Sequence, residues 1–117
     1  MLKLRHGIEV YVSTKIIDAR KSIDTLAMLV VDEFGSDPRS GNLFVFLNRS
    51  RDKAKILYWD RNGFVLHYKR LEKHRYIIPQ SGQSYYVINE IQLNGLLAGL
   101  NFEIMSHFYE LNYDKIF

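Results

Sequence analysis

Three strand-like runs in close succession, Leu43 to Asn48, Lys53 to Asp60 and Phe64 to Leu71, constrain the fold more than any other feature of this chain. Their connections are too short for a crossover, so neighbouring runs must pair antiparallel. Asp60-Arg61-Asn62-Gly63 suits a type I turn with glycine in the left-handed position, a three-residue hairpin. An antiparallel meander follows, and its apolar face needs covering by other elements.

Those elements lie on either side of it. Ile8-Glu9-Val10-Tyr11-Val12-Ser13 alternates and reads as a short strand. Asp18 is placed to cap a helix whose apolar residues Ala19, Ile23, Leu26, Ala27, Val30 and Phe34 form one stripe, with Gly35 as a left-handed stop. Ser36 to Asn42 is a loop by its Pro, Gly and Asn content. Tyr76-Ile77-Ile78 is a weaker extended piece, and Tyr85-Tyr86-Val87 a further strand. Asn89 then caps a second helix, with Gln92 completing a capping box and Ile88 and Leu93 spaced as a hydrophobic staple. Leu96, Leu97 and Leu100 continue its stripe, while Gly95 costs about 1 kcal/mol relative to alanine, so this helix leans on tertiary packing. The predicted fold is α+β: a mostly antiparallel sheet with a three-strand meander and two helices packed on one face.

At 117 residues the chain makes one domain, 1–117, and 47% apolar with 25% charged residues is ordinary for a folded soluble protein. Residues 101–117, with Phe102, Phe108, Tyr109, Tyr113 and Phe117, form an aromatic-rich C-terminal extension of poor periodicity and a candidate homodimer contact. Cysteine is absent, which excludes disulfides, thiolate catalysis and Cys-ligated metal sites. No run approaches the ~18 apolar residues of a membrane span, and Met1 to His6 lacks the apolar stretch of a signal peptide, so the expectation is a cytoplasmic protein without a membrane partner.

Catalytic signatures are missing. There is no glycine-rich phosphate loop and no nucleophile elbow. His6, His67, His74 and His107 show no paired metal-ligand spacing. Asp18, Asp37, Asp52 and Asp60 each have a local task as helix cap, pre-proline turn, hairpin loop or turn start. No catalytic residue, metal site or cofactor is assigned, and the expectation is that the protein is not an enzyme.

Charge carries more information. The net charge is only +3, yet residues 49–75 hold nine cations (Arg49, Arg51, Lys53, Lys55, Arg61, Lys69, Arg70, Lys73 and Arg75) against Asp52, Asp60 and Glu72. A basic middle on a slightly acidic body is the pattern of a phosphate-binding face, with a solvated sheet surface as the plain alternative. If Asp60 pairs with Phe64, Lys55 faces Lys69, and a slip of one residue sets Lys55 against Arg70 instead. Either register sets two cations directly across from each other, which a phosphate oxygen, or the neighbouring Asp52 and Glu72, relieves. In the same pairing Ala54, Ile56, Tyr58, Phe64, Leu66 and Tyr68 share a core face, while Trp59 and His67 share the other and are candidates to stack on an exposed base, although Trp59 serves equally as a packing residue under the C-terminal segment. Arg20 and Lys21 fall in the first turn of the first helix, an unfavourable end for cations, which suits either a phosphate contact or a surface ion pair.

Several of these stretches also carry a family likeness. Val10-Tyr11-Val12, the run Asp18-Ala19-Arg20-Lys21-Ser22-Ile23-Asp24, Asp37-Pro38-Arg39-Ser40-Gly41-Asn42 and Ile56-Leu57-Tyr58-Trp59-Asp60-Arg61-Asn62-Gly63 come in order, followed by Tyr68-Lys69-Arg70-Leu71-Glu72-Lys73 and Leu96-Leu97-Ala98-Gly99-Leu100. Together they resemble the TnpB-type accessory protein encoded by the second open reading frame of insertion-sequence-66 mobile elements, over a core of about residues 8–100. The RNA-guided nuclease of the same name is unrelated. The resemblance implies a role in bacterial DNA transposition beside a separate transposase that carries the catalytic acids. It also marks departures: Ala19 where the family has Met, Arg39 where it has an aromatic, His74 where it has Gly, and Ile78-Pro79 where it has Trp-Pro.

Charge and resemblance together predict a non-catalytic accessory factor that binds DNA at element ends, or the transposase–DNA complex. Arg49, Arg51, Lys53, Lys55, Lys69, Arg70, Lys73 and Arg75, with Arg20 and Lys21, are the candidate phosphate contacts, and Trp59 and His67 the candidate stacking residues. The alternative is a protein-interaction module that grips the transposase through Trp59 and the aromatic tail without touching DNA. A magnesium nuclease built on Asp52 and Asp60 is a distant third.

Overall fold

The computed structural model describes residues 2–79 and 82–100. The strands are β1 (Val10–Ser13), β2 (Leu43–Leu47), β3 (Lys53–Asp60), β4 (Gly63–Arg70) and β5 (Tyr85–Ile88), and the helices α1 (Ile23–Phe34) and α2 (Glu90–Leu97). The fold is α+β, with one five-stranded sheet in the order β4-β3-β2-β1-β5. The pairings β2–β3, β3–β4 and β1–β5 are antiparallel, but β1 and β2 run parallel, so the sheet is mixed. The parallel pair is a consequence of α1, which gives the chain the length to cross over and return in the same direction.

The helices do not share a face. Strand side chains alternate, and β2 shows where each set goes. Leu43, Val45 and Leu47 join Val10, Val12, Ala54, Ile56 and Ile88 in a core with Leu93 and Leu96 of α2. Phe44 and Phe46 join Leu57 in a second core with Leu26, Val30 and Phe34 of α1. The sheet is therefore the middle layer between α1 and α2, which corrects the expectation of both helices on one side. All five residues of β2 are buried because both of its faces are covered. On the α1 side Tyr11, Phe34, Phe44, Phe46 and Tyr85 form an aromatic cluster with ring centroids 5.3–6.0 Å apart.

Helix ends follow local chemistry, with one correction. Asn89 accepts from the Gln92 N–H at 2.8 Å while its own N–H donates to Gln92 Oε1 at 2.9 Å, the capping box read from the sequence. Gly35 takes φ 61, and the N–H of Ser36 donates back to the Val30 carbonyl, closing α1. Asp18, however, does not cap α1. Its carboxylate accepts from the Arg20 N–H at 2.9 Å and its carbonyl from the Lys21 N–H at 3.0 Å, making a separate turn. Ser22 occupies the cap position, so Arg20 and Lys21 precede the helix rather than lie in its first turn. No helix among the described residues is long and apolar enough to cross a membrane. The aromatic extension from residue 101 lies outside the described residues.

Candidate nucleic-acid interface

The β3–β4 hairpin closes one residue tighter than expected. Asp60 pairs with Gly63, not Phe64, across a two-residue turn in which Arg61, rather than the glycine, takes the positive φ of 54°. The turn is pulled in by the Asn62 N–H, which donates to the Asp60 carbonyl at 2.5 Å. A one-residue change of register turns every side chain of one strand to the other face relative to its partner. Lys53, Lys55, Leu57 and Trp59 thus share the α1 side with Phe64, Leu66, Tyr68 and Arg70, whereas Ala54, Ile56 and Tyr58 share the α2 side with Val65, His67 and Lys69.

Trp59 and His67 are separated by this register. Trp59 meets Phe64 edge-on at 5.0 Å and has the Arg39 guanidinium 5.0 Å above its ring. His67 stacks on Tyr58 at 5.6 Å, with its Nε2 3.2 Å from the Tyr58 hydroxyl. The two rings lie on opposite faces and form no joint stacking platform. Six residues of strand also put Trp59 about 20 Å from the Lys53 end of the hairpin.

That end is where the cations gather. Buried Asn48 organises the β2–β3 turn: its Oδ1 accepts from the N–H groups of Asp52 at 3.1 Å and Lys53 at 3.0 Å, and its Nδ2 donates to the Asp52 carboxylate at 2.8 Å. The amide of Asn48, followed by the charge of Lys53, holds the Asp52 carboxyl below its ordinary pKa. The loop after β4 is laid against this turn. The N–H of Leu71 donates to the Asp52 carbonyl at 2.7 Å, that of Tyr76 to the Arg51 carbonyl at 2.7 Å, and Arg75 Nη1 to the Ser50 carbonyl at 2.9 Å. Buried Tyr76 completes the clamp by donating its hydroxyl to the Lys69 carbonyl at 2.9 Å.

Arg49, Arg51, Lys73 and Arg75 consequently stand on two cross-linked loops, beside Lys53 and Arg70. Lys53 and Arg70 are direct cross-strand partners, so a cation pair exists, though not the one expected. Local carboxylates relieve it: Lys53 Nζ lies 3.4 Å from Asp52 and Arg70 Nη2 2.8 Å from Glu72. Arg49, Arg51 and Lys73 have no ion pair among the described residues. On the same side Lys55 Nζ donates to the Lys21 carbonyl at 2.7 Å, pinning the Asp18–Lys21 turn to the hairpin. In that turn Arg20 chelates Asp18 at 2.7–3.2 Å, which holds the Asp18 carboxyl well below the usual carboxylate range and raises the Arg20 pKa in return. Lys69 departs from the group: it points to the α2 side and donates to the Leu97 carbonyl at 2.8 Å, supplying the cation that the last turn of α2 lacks.

Tyr68 is the residue that sequence reasoning missed. The expected register assigned it to the core. It is instead 53% exposed, opposite Lys55, whose ammonium lies 5.7 Å from the ring centroid. The one signal for it was the turn geometry, which fixes the parity of β4.

Asp52 and Asp60, the acids of the nuclease alternative, do not come together. Asp52 immediately precedes β3 and Asp60 ends it, about 26 Å apart along the strand, far beyond the ~4 Å spacing of a two-metal site. Among the described residues no three His, Asp or Glu side chains come together as a potential metal site.

The arrangement defines a class: a small α+β domain, two helices enclosing a mixed sheet, with a cationic loop pair at one hairpin end. The chain belongs to the IS66 Orf2-like protein family, whose sequence profile matches residues 8–107. Two relatives from Sinorhizobium fredii, the uncharacterized proteins y4hO and y4jC, are 33% and 30% identical to it over 101 residues, covering 86% of this chain and 88% and 86% of their own. No solved structure matches. Family membership supports an accessory role in transposition.

Proposed function

We propose that the protein is a non-catalytic accessory factor that binds DNA, alone or in complex with the transposase, through the cationic end of the β3–β4 hairpin. The observation that carries this reading is the cross-linking of the two loops that bear Arg49, Arg51, Lys73 and Arg75, next to the Lys53–Arg70 rung, six cations against the two carboxylates of Asp52 and Glu72. Hydrogen bonds between the loops hold the backbone beneath these charges in place, which lowers the ordering cost of meeting a phosphate backbone. Such contacts position a protein on DNA without reading its sequence.

Fluorescence anisotropy of labelled DNA carrying an element end tests the reading across about 50–200 mM salt, where six phosphate contacts lose roughly 10³-fold in affinity. Arg49→Glu/Arg51→Glu/Lys73→Glu substitutes exposed or half-exposed residues with no ion pair and is expected to abolish binding with an unchanged melting temperature. Absence of wild-type binding at the lowest salt refutes direct DNA contact. Capture of the transposase that survives this charge reversal then identifies the protein–protein alternative.

A further inference from the structure

We propose that Tyr68 is the stacking residue of the basic face, and that the ligand it fits is an unpaired DNA base with its flanking phosphates. This inference rests on the DNA-binding reading above and specifies the form of DNA. On the α1 side of β4, Phe64 and Leu66 pack into the core beneath α1, but Tyr68, two residues on, lies beyond that cover and is 53% exposed. Cations frame it. Lys55 stands opposite with its ammonium 5.7 Å from the ring centroid, and the Lys53–Arg70 pair is the next rung on the same face. The Lys55 hydrogen bond to the Lys21 carbonyl holds the Arg20–Lys21 turn at the far side of Lys55.

An aromatic ring set among lysines and arginines is how proteins hold single strands: bases stack on the ring while the cations track the backbone. A duplex offers no free base face at its sides, so Tyr68 adds little to duplex affinity, which the loop cations supply. Tyr68 and Trp59 each have a cation over the ring, but Trp59 is also met by the edge of Phe64, His67 is stacked on Tyr58 on the opposite face, and Tyr76 is in the core. Tyr68 combines exposure with a cationic surround.

The test measures binding of the full chain to a labelled single-stranded oligo-dT and to a duplex of the same length, for wild type, Tyr68→Ala, Tyr68→Phe and Trp59→Phe. Loss of one base–ring stack is expected to weaken single-strand binding of Tyr68→Ala about 5- to 150-fold. Its duplex affinity is expected to change less than about twofold, since the phosphate contacts remain. Tyr68→Phe keeps the ring and should bind the single strand like wild type, as should Trp59→Phe. Equal loss on both DNA forms, or wild-type affinity of Tyr68→Ala for the single strand, overturns the inference while leaving DNA binding in place. A single-strand loss in Trp59→Phe instead of Tyr68→Ala overturns it too. No binding of either DNA by wild type removes the DNA-binding reading and this inference with it.

Discussion

Replacing Tyr76 with phenylalanine tests how the loop that carries Lys73 and Arg75 is fastened to the sheet. The ring is fully buried, and its hydroxyl donates to the Lys69 carbonyl at 2.9 Å. Burial, with smaller contributions from the charges of Asp52 and Tyr68, pushes its pKa up to about 12 from 10.0. A group whose folded-state pKa is raised contributes stability that is complete below its unfolded pKa and is lost as pH rises through the folded one. For Tyr76 that window runs from about pH 10 to about pH 12. A shift of about two pKa units corresponds to roughly 3 kcal/mol, of which about half is gone by pH ~11. Near pH ~8, Tyr76→Phe should cost about 1–2 kcal/mol, at the low end for a lost hydrogen bond because the Lys69 carbonyl lies on an exposed edge strand where water replaces the donor. Urea unfolding followed by circular dichroism, for both proteins at several pH values from ~8 to ~11, gives the difference directly. Subtraction cancels the other tyrosines and the lysines that titrate in the same range. The gap between wild type and Tyr76→Phe is expected to shrink by on the order of 1 kcal/mol by pH ~11. A gap that stays constant would mean that the phenol ionises as readily folded as unfolded, and would refute the reasoning.

Two further perturbations address the loops and the turn. Asn48→Ala removes the buried acceptor for the half-buried N–H groups of Asp52 and Lys53 and should cost about 1–3 kcal/mol, read as a lower urea midpoint at constant slope. His74 and Arg61 hold left-handed backbone at φ 71 and φ 54, so His74→Gly and Arg61→Gly should each stabilise by about 0.5–1 kcal/mol, the relief of strain exceeding the added unfolded-state entropy. Differential scanning calorimetry checks both; a lower melting temperature in either variant counts against the strain argument for that position.

Much of the fold was legible because local signals agreed with the final packing. The α2 capping box, the left-handed Gly35 and the apolar stripe of Leu26, Val30 and Phe34 are set by neighbouring residues, and they appear as read. The layer order was not read, although its signal was present. Leu43–Leu47 is apolar at five consecutive positions, and a strand with one wet face would alternate. The parallel β1–β2 pair belongs to the same oversight, since a helix between two strands supplies the crossover that parallel pairing needs. Asp18 does not cap α1 because an aspartate four residues before the cap position Ser22 serves equally well in a turn of its own, and Arg20 makes that turn the better partner.

The candidate site hung on a single residue of register. Gly63 suggests itself for the left-handed position of the turn, since glycine adopts it without steric cost. In the folded hairpin Arg61 takes that conformation, and the slip reassigns every β4 side chain. Tyr68 passes from core to surface by this change alone, and His67 leaves the face of Trp59. In place of the expected Lys55 pair, Lys53 and Arg70 stand across from each other, and Asp52 and Glu72 already balance them. Repulsion within the hairpin therefore cannot be what recruits an anion. The cations free to meet a phosphate partner are Arg49, Arg51 and Lys73, which lack ion pairs among the described residues and stand on two loops joined by backbone hydrogen bonds. Those bonds, not the alternation of the strands, turn a basic stretch of sequence into a basic site.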